Sequence, residues 1–389
     1  MPNFFRKLHD GNRVRIAYLG GSITLGEGYR PRTVRFFQER YPQTRIEQIN
    51  AGLGGTGSPL GACRLVRDVL GHRPDLVFID FAGNDCEDST PERTLCAVEG
   101  IVRKIWEADA STDICFLYFL NRSLRKSLRE GKSHWTCSVM ERVADLYGIP
   151  SINAGLRIVR LEQHGRLVCR AQEDSEEERH AQAAGKIVFS HDGTHPTPRG
   201  HDLYAETIAG CMEEMEQDEA PFKHILGEPL TPLPWSDASL VPFDAATLGK
   251  DWRVVEPAAE GIQVASIDRF PQLFKAETAG ASLEFRFRGR AFGLFGVFGL
   301  NSGQLLVSVD GGEAVNVPLF DQYGYCYRVH YVLLDASRDN VVHDVRMELS
   351  GERPDRSMLL PDRAIRDPER FDDGIVCYGG ELLLVGDLL

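Results

Sequence analysis

A chain of 389 residues is too long for one ordinary hydrophobic core, so two domains are expected. Hydrophobic residues make up 42% and charged residues 26%, the balance of a soluble globular protein. The formal net charge of -13 argues against nucleic acid or an anionic membrane as the partner, and no apolar run approaches the ~20 residues of a membrane span.

Residues 1–11 carry Arg6 and Lys7 but no apolar stretch of the signal-peptide kind, so a cytoplasmic location is expected. Residues 14–19 read as a strand that runs into Gly20-Gly21-Ser22-Ile23-Thr24. Residues 31–41 read as a helix with Val34, Phe37 and Tyr41 on one side, and 45–50 as a second strand. Residues 59–70 are helical, with Leu65, Val66, Val69 and Leu70 on one face, and 76–81 form a nearly all-apolar third strand. Thr90 caps a helix that starts with Pro91 and reaches residue 108. Residues 114–120 are a fourth strand, 134–147 a helix, 149–152 a short strand and 199–216 a closing helix. Residues 121–132 are basic and 170–186 mostly acidic; both are expected to be solvated surface or a wall above the sheet.

This alternation predicts a parallel sheet with helices on both faces, whose ligands sit beyond the C-terminal strand ends. Prolines then punctuate a linker over 219–244. Beyond it the period becomes two, at 262–267, 283–287, 305–309, 325–334, 341–349 and 375–385, with Asp310-Gly311-Gly312 as a hairpin turn. The expected domains are 1–218 (α/β, catalytic), 219–244 (linker) and 245–389 (an all-β sandwich, jelly-roll-like). The nine cysteines are scattered, without C-x-x-C or zinc spacing, so reduced thiols and neither metal nor cofactor are expected.

Ser22 follows a strand and two glycines, which raises its hydroxyl onto the rim of the sheet and makes it a candidate nucleophile. His195 in His191-Asp192-Gly193-Thr194-His195 is the candidate base, with Asp192 three residues before it to hold the imidazole. His191 is a second candidate, but it adjoins Asp192 and neighbouring side chains diverge. The run Gly52-Leu53-Gly54-Gly55-Thr56-Gly57 and the amide of Asn84 could donate to an oxyanion. The same run matches G-x-G-x-x-G, so a nucleotide-binding oxidoreductase is the rival reading; no acidic residue ends a strand at the distance a ribose requires. Gly21 to Gly26 has phosphate-loop spacing, but Glu27 stands where a lysine is needed.

Together these blocks resemble the SGNH (GDSL-like) hydrolase family over residues 14–215. Gly20-Gly21-Ser22 looks like its first block, in the Gly-Gly-Ser-Ile-Thr subgroup, Asn50 to Gly55 like the second, Ala82-Gly83-Asn84-Asp85 like the third and Asp192-Gly193-Thr194-His195 like the fifth. Gly21 and Ala82 depart from the commoner residues of the first and third blocks. The resemblance implies a flavodoxin-like three-layer fold and a Ser22–His195–Asp192 triad. It also implies an oxyanion hole from the N–H groups of Ser22 and Gly55 and the side chain of Asn84. The implied activity is serine esterase, with lipase or thioesterase as alternatives within the family. Related hydrolases often carry a β domain beside the site, which points to an acetyl ester on a carbohydrate as the substrate. The aromatic run Phe320, Tyr323, Tyr325, Tyr327 and Tyr331 is expected to belong to the core of that domain rather than to a sugar platform.

Overall fold

A computed structural model of the chain describes residues 1–389 apart from 217–219, 271, 338, 361–362 and 372–373. The chain separates into two compact units, Met1–Ser236 and Asp237–Leu389.

The first unit is built on β1 (Val14–Gly20), β2 (Ile46–Gly52), β3 (Leu76–Asp80), β4 (Asp113–Leu117) and β5 (Ser151–Ile152), all parallel in the order β2-β1-β3-β4-β5. Every residue of β3 and β4 is buried, as both faces are covered by helices. On one side pack α4 (Ser58–Asp68), α6 (Pro91–Ala108) and α8 (Trp135–Tyr147). On the other lie α3 (Tyr29–Arg40), α9 (Ala154–Gln163) and α11 (Pro198–Met215). Register aligns Gly20 with Gly52 and with Asp80, so the turns after β1, β2 and β3 emerge side by side.

Several short elements escape the periodicity. They are α1 (Pro2–His9), α2 (Ser22–Leu25) and α5 (Ala82–Asp88). The basic stretch holds α7 (Arg122–Arg129), begun by an Asn121 cap that accepts from Leu124 N–H at 2.9 Å. The acidic stretch holds α10 (Glu176–Ala183), capped by Ser175. Around it β6 (Leu167–Arg170) and β7 (Ile187–Ser190) pair in parallel as a separate ribbon. β7 delivers the chain to Asp192 and His195.

The proline-punctuated stretch is divided between the units. His224 Nε2 lies 2.8 Å from Asp113 Oδ1, and the N–H groups of Leu230 and Thr231 donate to Glu99, fastening this part to the first unit. Ala238–Pro242 is already a strand of the second unit.

The second unit is antiparallel. Its longest strand, β12 (Ser282–Phe298), follows β8 (Ala238–Pro242), β9 (Thr247–Leu248), β10 (Arg253–Val255) and β11 (Leu273–Ala276). After it come β13 (Gln304–Val309), β14 (Val315–Pro318), β15 (Arg328–Asp335), β16 (Val341–Leu349) and β17 (Cys377–Leu388). The first half of β12 pairs with β16 and the second half with β15 and β17, so one hydrogen-bonded network joins all these strands. A register shift between Gly289 and Ala291 marks the change. Before it Leu283, Phe285 and Phe287 face the core; after it Phe292, Leu294 and Phe298 do. One extra residue moves the inward face from odd to even positions, which folds the sheet over a shared core. The turn after β13 has positive φ at Asp310 (54°) and Gly311 (69°), the hairpin geometry that Asp-Gly favours.

The strand expected over 262–267 is absent. Ser266 has φ +66° and residues 267–269 turn into a short 3₁₀ helix, so the alternating residues never meet a partner strand. Of the aromatic run, Phe320, Tyr327 and Tyr331 are buried, while Tyr323 and Tyr325 are half-buried. All nine cysteines are free, and Cys63, Cys115, Cys137, Cys169 and Cys377 are buried. Among the described residues, no helix is long and apolar enough to cross a membrane.

Candidate active site

β1 ends at Gly20, and the chain turns at Gly21 directly into α2, whose first residue is Ser22. Glycines make this turn possible through space rather than dihedral angle. A Cβ at Gly20 would lie 2.5 Å from Thr24 Oγ1, and one at Gly21 would lie 2.0 Å from Asn84 Oδ1. The departure at Gly21 thus admits the Asn84 amide against the serine's turn.

A four-residue helix leaves its last carbonyls unpaired. The buried Arg30 supplies the donors. Its Nε donates to Thr24 O, and its Nη2 donates to Leu25 O (3.1 Å) and Gly26 O (3.2 Å). Asn50 Nδ2 also donates to Leu25 O, at 3.0 Å. From below, Thr24 Oγ1 donates to Asp80 Oδ2 at 3.2 Å and lies 3.0 Å from the hydroxyl of Tyr29.

Ser22 Oγ lies 2.8 Å from His195 Nε2, and His195 Nδ1 lies 2.6 Å from Asp192 Oδ2. Ser22 and His195, 173 positions apart, thus join Asp192 in one hydrogen-bonded chain. The other oxygen of Asp192 accepts from the N–H groups of His195 (2.8 Å) and Thr194 (2.9 Å) and from Ser190 Oγ (3.1 Å). Burial would raise the Asp192 pKa, but the His195 side-chain bond and these backbone N–H groups outweigh it. The carboxyl is held well below the usual range. Gly193 takes φ +92°, which lets the chain wrap back around the carboxylate. His191 turns away, its Nε2 3.0 Å from Glu178 Oε1, so the second candidate base does not reach Ser22.

The loop after β2 brings Gly54 beside the serine, where an added Cβ would lie 3.7 Å from Ser22 Cβ. Gly55 follows at φ +66°, exposed at the loop tip. The loop is anchored from the third block. Asp85, fully buried, accepts from Ser58 N–H at Oδ1 and from Ser58 Oγ at Oδ2, both at 2.7 Å. This carboxylate covers the start of α4, where a dinucleotide's pyrophosphate would need free N–H groups. A Cβ at Gly57 would lie 2.2 Å from Asp85 Oδ1, and one at Gly52 would lie 2.3 Å from Leu25 N. The two ends of the glycine run are thus filled by their own neighbours. Arg64, fully buried in α4, donates to Ala51 O (2.7 Å) and Gly20 O (3.2 Å), tying the ends of β2 and β1 together. Asn121 Nδ2 donates to Gly83 O at 2.8 Å beside Asn84.

Sequence reasoning had no part for Arg30, Arg64, Asp80 or Asp85. Asp85 alone carried a signal, as it adjoins Asn84 in the third block. Among the described residues, no group of three His, Cys, Asp or Glu side chains could hold a metal ion.

A serine on the rim of a parallel sheet, bonded to an imidazole that is bonded to a carboxylate, has the arrangement of a serine hydrolase. The model of the GDSL-like lipase/acylhydrolase family matches residues 18–203, most of the first unit, and over that span the chain is similar to this family of hydrolases acting on ester bonds. Among solved structures, a two-domain esterase (CEX) active on acetylated mannans, co-crystallized with mannopentaose, is similar over both units. It is 20% identical with a TM-score of 0.73, covering 98% of this chain and 93% of that one. A further structure of a two-domain esterase (CEX) active on acetylated mannans matches at the same identity and TM-score, covering 98% and 94%. Axe2, an acetylxylan esterase from Geobacillus stearothermophilus, is 16% identical with a TM-score of 0.39, covering 50% of this chain and 92% of its own. No curated protein matches the sequence.

Proposed function

We propose that this protein is a serine esterase that removes acetyl groups from a carbohydrate, with Ser22 as nucleophile, His195 as general base and Asp192 as the group that orients it. The observation that carries this reading is the bonded chain from Ser22 Oγ through both ring nitrogens of His195 to Asp192. The Ser22 hydroxyl donates to Nε2, and Nδ1–H donates to the carboxylate. As Oγ attacks the ester carbonyl, its proton passes to Nε2 and Asp192 stabilises the imidazolium. The oxyanion is held by the N–H groups of Ser22 and Gly55 and by Asn84 Nδ2. Asn84 suits this part because its amide lies against Gly21, the residue before the nucleophile. The alcohol leaves with the proton from His195, and water attacks the acetyl-enzyme by the same route.

The carbohydrate is supported by the two-domain esterase on acetylated mannans, whose fold is similar across nearly the whole chain. The test is a panel of acetylated manno- and xylo-oligosaccharides and p-nitrophenyl esters of rising chain length, run on wild type and Ser22→Ala. Deacetylation of the oligosaccharides that vanishes in Ser22→Ala is expected. Preference for long acyl chains would replace the carbohydrate reading with a lipase or thioesterase.

A further inference from the structure

The Ser22–His195 bond joins two loops from distant parts of the chain, and their separation has to be held by something other than that bond. Ser22 belongs to the β1–α3 connection, which ends at Gly28; His195 belongs to the β7–α11 connection, which ends at Thr197. Between these ends lies His201, in the first turns of α11. Its imidazole lies flat against Gly28, where an added Cβ would fall 2.1 Å from Cε1, 2.2 Å from Nδ1 and 2.4 Å from Nε2. Its Nδ1 is buried with no hydrogen-bond partner among the described residues. An unpaired buried nitrogen costs stability, so hydrogen bonding at Nδ1 does not account for the ring's place against Gly28.

Arg32 closes the same joint on the other side. Its Nη1 donates to Gly28 O at 2.8 Å, its Nε to Asp202 Oδ1 at 2.6 Å and its Nη2 to Pro198 O at 3.4 Å. One guanidinium thus grips the end of the serine's loop and the start of the histidine's helix. Arg199 Nη1 donates to the second oxygen of Asp202 at 2.9 Å. Burial, then Arg32 and then His195, push the His201 pKa down to about 4, with Asp202 opposing, so the ring is neutral in neutral solution.

We infer that His201 and the Arg32–Asp202 pair form a clamp that sets the Ser22–His195 distance, with His201 as a steric spacer and positioning residue. The inference rests on the catalytic reading above. A misplacement of about 1 Å at the reacting atoms costs on the order of 100-fold in rate, so loosening this joint should act on turnover.

The experiment measures kcat and KM for p-nitrophenyl acetate in wild type, His201→Ala, His201→Phe, Gly28→Ala and Gly28→Ala/His201→Ala, with Ser22→Ala as control. His201→Ala is expected to lower kcat about 10- to 100-fold with KM little changed, and His201→Phe, which keeps a flat ring, to restore most of it. Gly28→Ala should also be slow, and the double variant should lose far less than the product of the single losses, because the methyl then occupies the vacated space. Loss in His201→Phe as deep as in His201→Ala, a shift confined to KM, or independent losses in the double variant would each overturn the clamp. If Ser22→Ala stays active, the catalytic reading fails instead. The clamp is then decided without turnover on a Ser22→Cys background, where a nearby His195 lowers the thiol pKa. His201→Ala should raise that pKa, measured by thiolate absorbance, and His201→Phe should not; an unchanged value in His201→Ala contradicts the clamp.

Discussion

At the scale of single residues, the site divides into groups that would touch substrate and groups that hold them. Ser22, His195 and Asn84 belong to the first kind. Replacing Asn84 by Ala removes one of the proposed oxyanion donors and is expected to lower kcat by about 10²–10³, with the protein still folded by circular dichroism. Asp80 belongs to the second kind. Burial, opposed by the Thr24 hydrogen bond and reinforced by Asp85, raises its pKa from 3.8 to about 7. The folded state therefore keeps a proton that the unfolded state loses, and stability falls as pH rises from about 4 to about 7. Asp80→Asn mimics the protonated form. In urea titrations it should match wild type near pH 4 and exceed it above pH 7, by an amount on the order of a few kcal/mol. The candidate triad was legible because strand ends, glycines and Asp-x-x-His spacing are local. Asp80 was not, because its burial and its Thr24 contact exist only once β1 and β3 are side by side.

At the scale of elements, α2 depends on a neighbour. Four residues cannot satisfy a helix's terminal carbonyls, and Arg30 from α3 does so. Arg30→Ala is expected to destabilise the protein by on the order of 2 kcal/mol or more in denaturant melts and to lower esterase activity through Ser22. Long helices and buried strands were readable from period and caps, as with α6 after Thr90. In α4 the same reading grouped Val66 with the apolar face. Val66 is 57% exposed, while Arg64 two positions earlier is fully buried. The carbonyls of Gly20 and Ala51 take the guanidinium inside, and hydropathy cannot register a hydrogen bond to another element. β6 and β7 were missed because four-residue strands carry too little pattern, although β7 is what presents Asp192 and His195.

At the scale of the whole molecule, a parallel α/β unit is followed by an antiparallel β unit, and the switch from helical to alternating period announced it. The division between the units falls within the proline-rich stretch, where Glu99 and Asp113 capture backbone and side-chain groups that no periodicity marks. In β12 the inward face changes parity at Gly289–Ala291, so the expected alternation is real in each half but out of phase across the strand. The central claim is that acetyl transfer passes through Ser22. Acid-quenching the enzyme during turnover of p-nitrophenyl acetate, followed by peptide mass spectrometry, tests it most directly. One acetyl group is expected on the peptide containing Ser22, absent in Ser22→Ala, which should also lose turnover. Undiminished hydrolysis by Ser22→Ala, or an acetyl group on another residue during productive turnover, would contradict it.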